Sequence, residues 1–302
     1  MIETTTAASL AQYTAAAGRA ASEVIRAYST SFGAATRLLG HRHRQHVRNI
    51  YALVRVADEL VDGVAADAGA PAATAAQALE QLIDDTHRAM ETGFSGNLIV
   101  HAFATTARTC GIDRSLTEPF FASMRSDLET AETPGLRTFD RGEHGDYVYG
   151  SAEVVGLMCL RVFTRVSRLS DAERGELERG ARQLGAAFQN VNFLRDLADD
   201  TARLGRSYLS EAEPITDADR DRWVATIRSQ LDEARRTLPL LPADARLAVR
   251  SALDLFASLT ARIAATPAEH LYRERVRVPG ARKALIVVRA VATSVVTSGA
   301  RR

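Results

Sequence analysis

Residues 170–204 read SDAERGELERGARQLGAAFQNVNFLRDLADDTARL, and this stretch decides the fold. Ser170 followed three residues on by Glu173 is a capping box, and nothing interrupts the helical pattern until Gly205 supplies a stop. The spacing therefore predicts one long helix from Ser170 to Leu204. Gln189, Asn192, Asp196 and Asp200 are three, four and four residues apart, so they share one face of it. Phe188, Phe193 and Leu194 flank that face in a stretch apolar enough to be core. A row of amides and acids there points into the protein.

The same periodicity extends outward. Helices are predicted from Arg44 to Val61, closing at Gly63, from Pro71 to Glu91, and from Asn97 to Thr109. Pro71, Pro242, Pro267 and Pro279 stand near helix starts, where a missing N–H costs nothing. Only Gly63–Ala70 and Glu211–Asp217 read as loops, and neither has the character of a domain linker. There is no internal repeat and no strand alternation. The reading is an all-α, single-domain bundle over residues 1–302, with residues 1–15 loosely ordered. Apolar residues at 46% allow a large core, and charged residues at 25% are ordinary for a globular protein. A net charge of +1 gives no global field to draw nucleic acid, so any anion must be held by a local cluster. Cys110 and Cys159 lack metal-ligand spacing and suit a reduced cytosol. No run approaches a membrane span and the N-terminus lacks the basic and apolar regions of an export signal, so a cytoplasmic location is expected.

A second acidic face precedes the first in sequence. Tyr51, Arg55, Asp58 and Asp62 are four, three and four apart, which puts the two aspartates side by side on one helix. Like charges at that spacing destabilise a helix by roughly 0.2–0.5 kcal/mol, so the pair calls for a solvated surface or a cation. A lone pair of this kind is usually a solvated face. Its repetition at Asp196 and Asp200 favours the cation, with two carboxylate pairs across a cleft holding Mg²⁺ (or Mn²⁺) against a diphosphate. Arg55, Arg195 and Arg206 lie close to these acids and can pair with carboxylate or phosphate. His41, His43 and His46, interleaved with Arg42, Arg44 and Arg48, read as a solvated basic helix start rather than a zinc site. No phosphate loop, dinucleotide fingerprint, metalloprotease helix or nucleophile elbow is present.

With both faces in view, the chain resembles the squalene and phytoene synthase family from Tyr28 to about Arg289. Tyr28-Ser29-Thr30-Ser31-Phe32 resembles an early serine segment, Tyr51 to Asp62 the first aspartate motif, and Tyr147 to Gly156 a central Tyr, Ala and Gly segment. Gln189 to Asp200 resembles the second aspartate motif, and Gly205-Arg206-Ser207-Tyr208 follows as the family's Gly-Arg-x-Tyr. Asn49-Ile50-Tyr51, Phe121-Ala122-Ser123-Met124-Arg125 and Arg275-Val276-Arg277-Val278-Pro279 look most like phytoene synthases of actinobacterial carotenoid pathways. Glu153 departs from the family's Gly, where it could alter a pocket wall, and Ser210 from its Pro.

The resemblance implies an isoprenoid-synthase-type helical bundle with a central cavity, and head-to-head condensation of two geranylgeranyl diphosphates through a cyclopropyl diphosphate to phytoene, without NADPH. It implies metal binding by Asp58, Asp62, Asp196 and Asp200, and substrate contacts from Ser29, Ser31, Phe32, Arg55, Arg206 and Arg275. Tyr51, Tyr147 and Tyr208 would face cationic carbon. Gln189 and Asn192 would orient diphosphate or metal-bound water beside Arg195. Phe32, Phe120, Phe121, Met124, Leu157, Phe163 and Phe188 would line the tail tunnel or simply fill core. The last helix, with Arg282, Lys283 and Arg289, either rests peripherally on an anionic membrane or packs on the bundle. Squalene or dehydrosqualene synthesis from farnesyl diphosphate stays open, as do a noncatalytic assembly factor and a lipid-binding bundle.

Overall fold

The structure is a computed structural model describing residues 2–132, 137–202, 206–207, 209, 214–280, 282 and 286; the side chains of residues 2–7, 30–32, 66, 72, 130–138, 141, 199–202, 206 and 207 lie outside the description. Thirteen helices are described: α1 (Ile2–Tyr28), α2 (Thr30–Arg37), α3 (His41–Val61), α4 (Val64–Asp67), α5 (Ala72–Thr92), α6 (Leu98–Cys110), α7 (Arg114–Glu132), α8 (Arg141–Val148), α9 (Val154–Thr164), α10 (Asp171–Ala202), α11 (Asp217–Thr237), α12 (Ala243–Ala264) and α13 (Ala268–Leu271). A π-helical turn, Tyr149–Glu153, joins α8 to α9 without a break.

Local chemistry sets the boundaries. The Ser170 amide donates to Glu173 Oε2 at 2.9 Å and the Glu173 amide donates back to Ser170 Oγ at 3.3 Å, which closes the predicted capping box at the start of α10. Asn97 caps α6 by accepting from the amides of Ile99 and Val100. Pro71, Pro242 and Pro267 precede the first turns of α5, α12 and α13. After α3 the chain turns at Gly63 with φ +106°, a conformation that a Cβ would strain.

One hydrophobic cluster runs through the bundle, with Leu53, Phe103, Phe120, Phe121, Met158, Leu194, Ile227 and Leu253 among its buried members. A smaller cluster of Ala17, Ala21, Ala52 and Ala102 lets α1, α3 and α6 approach closely. The first helix packs through its later turns. It begins at Ile2, and Tyr13 donates its hydroxyl to the carbonyls of Ser95 and Gly96 at 3.0 Å while Thr14 bonds His101 at 2.9 Å.

A two-residue parallel pairing, β1 (Arg137–Thr138) with β2 (Arg206–Ser207), is an element the sequence pattern did not announce. It is too short to alternate, yet it fixes the backbone of Arg206 beside the segment that leads into α8. The His-rich start of α3 also differs from its reading. His43 is buried, bonds Asp244 Oδ1 at 3.2 Å, and meets the edge of Phe163, so the imidazole is a packing residue under α12.

Candidate active site

The site is built on α3, α7, α8 and α10. The face of α3 that carries Asp58 and Asp62 looks toward α7, where Asp127 is buried and accepts a 2.9 Å bond from the Tyr147 hydroxyl of α8. Burial, then repulsion from Asp62 and more weakly from Asp127 and Glu59, pushes the Asp58 carboxyl up to about 7, and Arg55 opposes the shift. Asp58 thus lies close to Asp62, Asp127 and Glu59, with Arg55 as the cation that offsets them. Among the described residues no three such groups converge tightly enough to hold a metal on their own. Oxygen donors from a phosphate would complete the coordination shell of a hard cation.

Arg55 pairs with Glu59 one turn along and lies over the exposed Tyr28 ring, with 4.6 Å from its guanidinium carbon to the ring centre. Burial works against its charge, but Glu59 and Asp58 outweigh it and the pKa rises. Tyr51, raised chiefly by burial, shares a hydrogen bond with the Ser29 side chain. Tyr51, Arg55 and Asp58 are thus brought together as the spacing predicts, and Ser29, singled out only by the family resemblance, joins them through Tyr51. The side chains of Ser31 and Phe32 lie outside the described residues.

On α10, Gln189, Asn192, Arg195 and Asp196 are all half-buried. Asp196 is clamped by two guanidiniums: Arg195 donates at 2.9 and 2.5 Å, and Arg275, from the segment after α13, at 2.6 and 3.2 Å. A chain separation of 79 residues makes the Arg275 contact one that no helical spacing could reveal. The Asp200 and Arg206 side chains, Tyr208 and Ser210 lie outside the described residues.

The expected face-to-face meeting of the two acidic helices takes a less direct form. α3 and α10 are joined mainly through α7, α8, the π turn and α9. Tyr147 is the bridge, with its hydroxyl on Asp127 and its ring 6.1 Å from Phe193 of α10 and 5.5 Å from Phe139. Close packing holds this wall. A Cβ on Gly150 would lie 2.4 Å from the Pro119 carbonyl oxygen, and one on Gly185 would lie 2.6 Å from that of Ala152. The Glu153 carboxylate accepts from Arg182 Nε of α10 at 2.6 Å and ties the end of the π turn to that helix.

Sequence reasoning passed over Asp127, Asn190 and His144. Asp127 sits in the Phe120, Met124 stripe of α7, and an acid in an apolar stripe is the signal that would have found it. Asn190 is buried and ties His144 of α8, at 3.1 Å, to Gln230 of α11, at 3.2 Å. Of the expected tunnel residues, Phe120, Phe121, Met124 and Phe163 are buried in the main cluster, and Phe188 stacks on Phe256 at 3.7 Å.

With that geometry described, comparison with known proteins assigns the family. The squalene/phytoene synthase family model matches residues 25–282. The chain belongs to the squalene/phytoene synthase family. It is 31% identical over 294 residues to phytoene synthase 3 of Zea mays chloroplasts, covering 91% of this chain and 65% of that protein. It is 32% identical over 255 residues to the phytoene synthase of Arthrospira platensis, covering 76% and 78%. Against several of the chloroplast proteins the match spans only about half to two thirds of their length. In fold the chain is similar to a dehydrosqualene synthase (TM-score 0.74, 21% identity, 93% of this chain and 98% of the other). It is also similar to a squalene synthase of Alicyclobacillus acidocaldarius (TM-score 0.68, 20% identity, 83% and 95%). Both likenesses support an all-helical isoprenoid-synthase fold.

Proposed function

We propose that the protein is a metal-dependent prenyltransferase that joins two geranylgeranyl diphosphates head to head to give phytoene. The observation that carries the reading is Tyr147 standing between Asp127, which acts on the Asp58 carboxylate beside Arg55, and Phe193 of the helix whose Asp196 is held by Arg195 and Arg275. The names of the relatives that align along most of the chain favour phytoene over squalene or dehydrosqualene as product.

Asp58 and Asp62, with Asp127 behind them, would hold Mg²⁺ at one diphosphate, and Asp196 and Asp200 would hold it at the other. Bound there, the ions neutralise phosphate oxygens and make diphosphate a better leaving group. Arg195 and Arg275 both hold the Asp196 carboxylate, and their remaining donors would be placed to bind phosphate oxygens beside it. Arg55 is placed to do the same beside Asp58. Tyr147 lies between the two faces with its hydroxyl held by Asp127, which directs the ring toward the Phe139 and Phe193 side, where a cationic carbon would be stabilised by aromatic faces. Departure of one diphosphate leaves an allylic cation, attack by the partner's double bond with loss of a proton closes the cyclopropyl diphosphate, and departure of the second diphosphate, rearrangement and loss of a second proton give the hydrocarbon. This balances without a reductant. The apolar residues packed around Phe120, Phe121 and Met124 keep water from the cations.

Asp58→Asn and Asp196→Asn test the assignment, because each removes a carboxylate charge at nearly constant volume. Both variants are expected to keep their helical circular dichroism and lose turnover. Near wild-type turnover by either one at saturating Mg²⁺ would show that its residue is not a ligand.

A further inference from the structure

The acid face of α3 continues backward as a basic one. Arg44, Arg48, Tyr51, Arg55, Asp58 and Asp62 are four, three, four, three and four residues apart, so the stripe that ends in carboxylates begins in guanidiniums. The neighbouring Arg42 points elsewhere and holds Asp244 bidentately at 2.7 and 2.8 Å. Arg44 donates Nη2 to the carbonyls of Arg37 and Leu39 at 2.8 and 2.9 Å, capping the end of α2, while its Nε is buried without an acceptor. Arg48 is half-buried, reaches Ser22 Oγ only at 3.5 Å, and also has a buried Nε without an acceptor. Among the described residues no carboxylate pairs with Arg37, Arg44 or Arg48.

Three neighbouring guanidiniums without an acid are an arrangement that folding alone does not favour. Burying a polar N–H without an acceptor destabilises the fold, and the like charges add repulsion. Burial, followed by the Arg44 and Arg37 charges, lowers the Arg48 pKa from the ordinary arginine range. An anion removes both penalties, and guanidinium forks match the oxygens of phosphate groups. The combined charge of three arginines suits a multiply charged ion rather than a single carboxylate.

We propose that Arg37 at the end of α2 and Arg44 and Arg48 on α3 form a second anion-binding site, taking a phosphate-bearing ion of the diphosphate class, with Arg48 about 15 Å from Asp58 along the helix axis. The site needs no metal. Its existence is independent of the proposed reaction, although a reaction releasing diphosphate would supply the ion.

Titration of the full-length protein with inorganic diphosphate in excess chelator, followed by thermal unfolding at constant ionic strength, tests the site. Saturable stabilisation is expected for the wild type, since a ligand that binds only the folded chain raises its midpoint. Arg48→Gln should weaken the apparent affinity about tenfold or more, Arg37→Gln should weaken it less, and Arg236→Gln, at an exposed position in the last turn of α11, should leave it unchanged. Arg48→Gln removes a repelling charge, so without ligand it should unfold no earlier than the wild type; an earlier midpoint would contradict the account. No saturable response, an unchanged response in Arg48→Gln, or its loss in Arg236→Gln would overturn the proposal. Repeating the titration with geranyl diphosphate separates the sources: equal affinity assigns the site to the free ion, and tighter binding assigns it to a substrate headgroup.

Discussion

Replacing Asp58 by Asn should make the metal-free protein more stable at pH 8 while removing its activity. Burial and then the Asp62 charge push the folded carboxyl from an ordinary 3.8 up to about 7. The protonated form is therefore the one the fold favours. A raised carboxyl pKa contributes stability that is fully present below the unfolded value of 3.8 and is lost as pH rises through about 7. Three pH units at about 1.4 kcal/mol each set a ceiling of about 4 kcal/mol on the penalty at pH 8. Asp58 keeps a partly exposed surface and shares its repulsion with Asp62, so about 1–3 kcal/mol is the effect expected in practice. Urea unfolding of wild type and Asp58→Asn in excess chelator, at several pH values from 5 to 8, measures the difference. The advantage of the Asn variant should grow by at least about 1 kcal/mol from pH 5 to pH 8. Any offset from altered hydrogen bonding is independent of pH and leaves that slope untouched. A difference flat across the range would refute the reasoning that the α3 acids are electrostatically strained without a cation.

Other consequences follow from single contacts. Tyr147→Phe strips the hydroxyl from buried Asp127, and should cost about 1–3 kcal/mol in a urea titration and lower the turnover rate; unchanged values for both would remove Tyr147 from the bridge. Gly150→Ala forces a methyl group against the Pro119 carbonyl and should lower stability by about 1–3 kcal/mol, read by thermal unfolding, whereas Gly96→Ala, with open space around it, should change it far less. Burial lowers the pKa of His46, His87 and His101, so their contribution is complete above the unfolded value near 6.5 and is lost as pH falls below it. Replacing His101 with Gln should therefore flatten the loss of wild-type stability between pH 6.5 and 5; an unaltered slope would assign that loss to other groups.

Much of this fold was readable because it is helical, and helices carry their signals locally. The capping box at Ser170, the stop at Gly63 and the four-and-three spacing of both acidic faces lie within one or two turns of each other, and the structure places them accordingly. What local spacing does not encode is which faces meet. Arg275 reaches Asp196 from a distant segment, and the β1–β2 pairing joins two stretches of two residues, too short for any pattern. His43 looked solvated because its neighbours are arginines, yet it faces inward while Arg42 faces out. Asp127 was hidden by the opposite fault, an acid within an apolar stripe. Glu153 was legible as a departure from the family pattern, but only its contact with Arg182 shows that it secures the π turn.

The most direct test of the account is the product formed by purified protein from geranylgeranyl diphosphate in the presence of Mg²⁺ and the absence of NADPH, with farnesyl diphosphate in a parallel reaction. Each additional buried methylene favours the longer tail by about 0.8 kcal/mol where the pocket is deep enough to enclose it. The account predicts phytoene from the twenty-carbon substrate, no effect of added NADPH, no product in chelator, and recovery when Mg²⁺ is restored. Preferential use of farnesyl diphosphate, a reduced hydrocarbon formed only with NADPH, or turnover that persists without metal would contradict it.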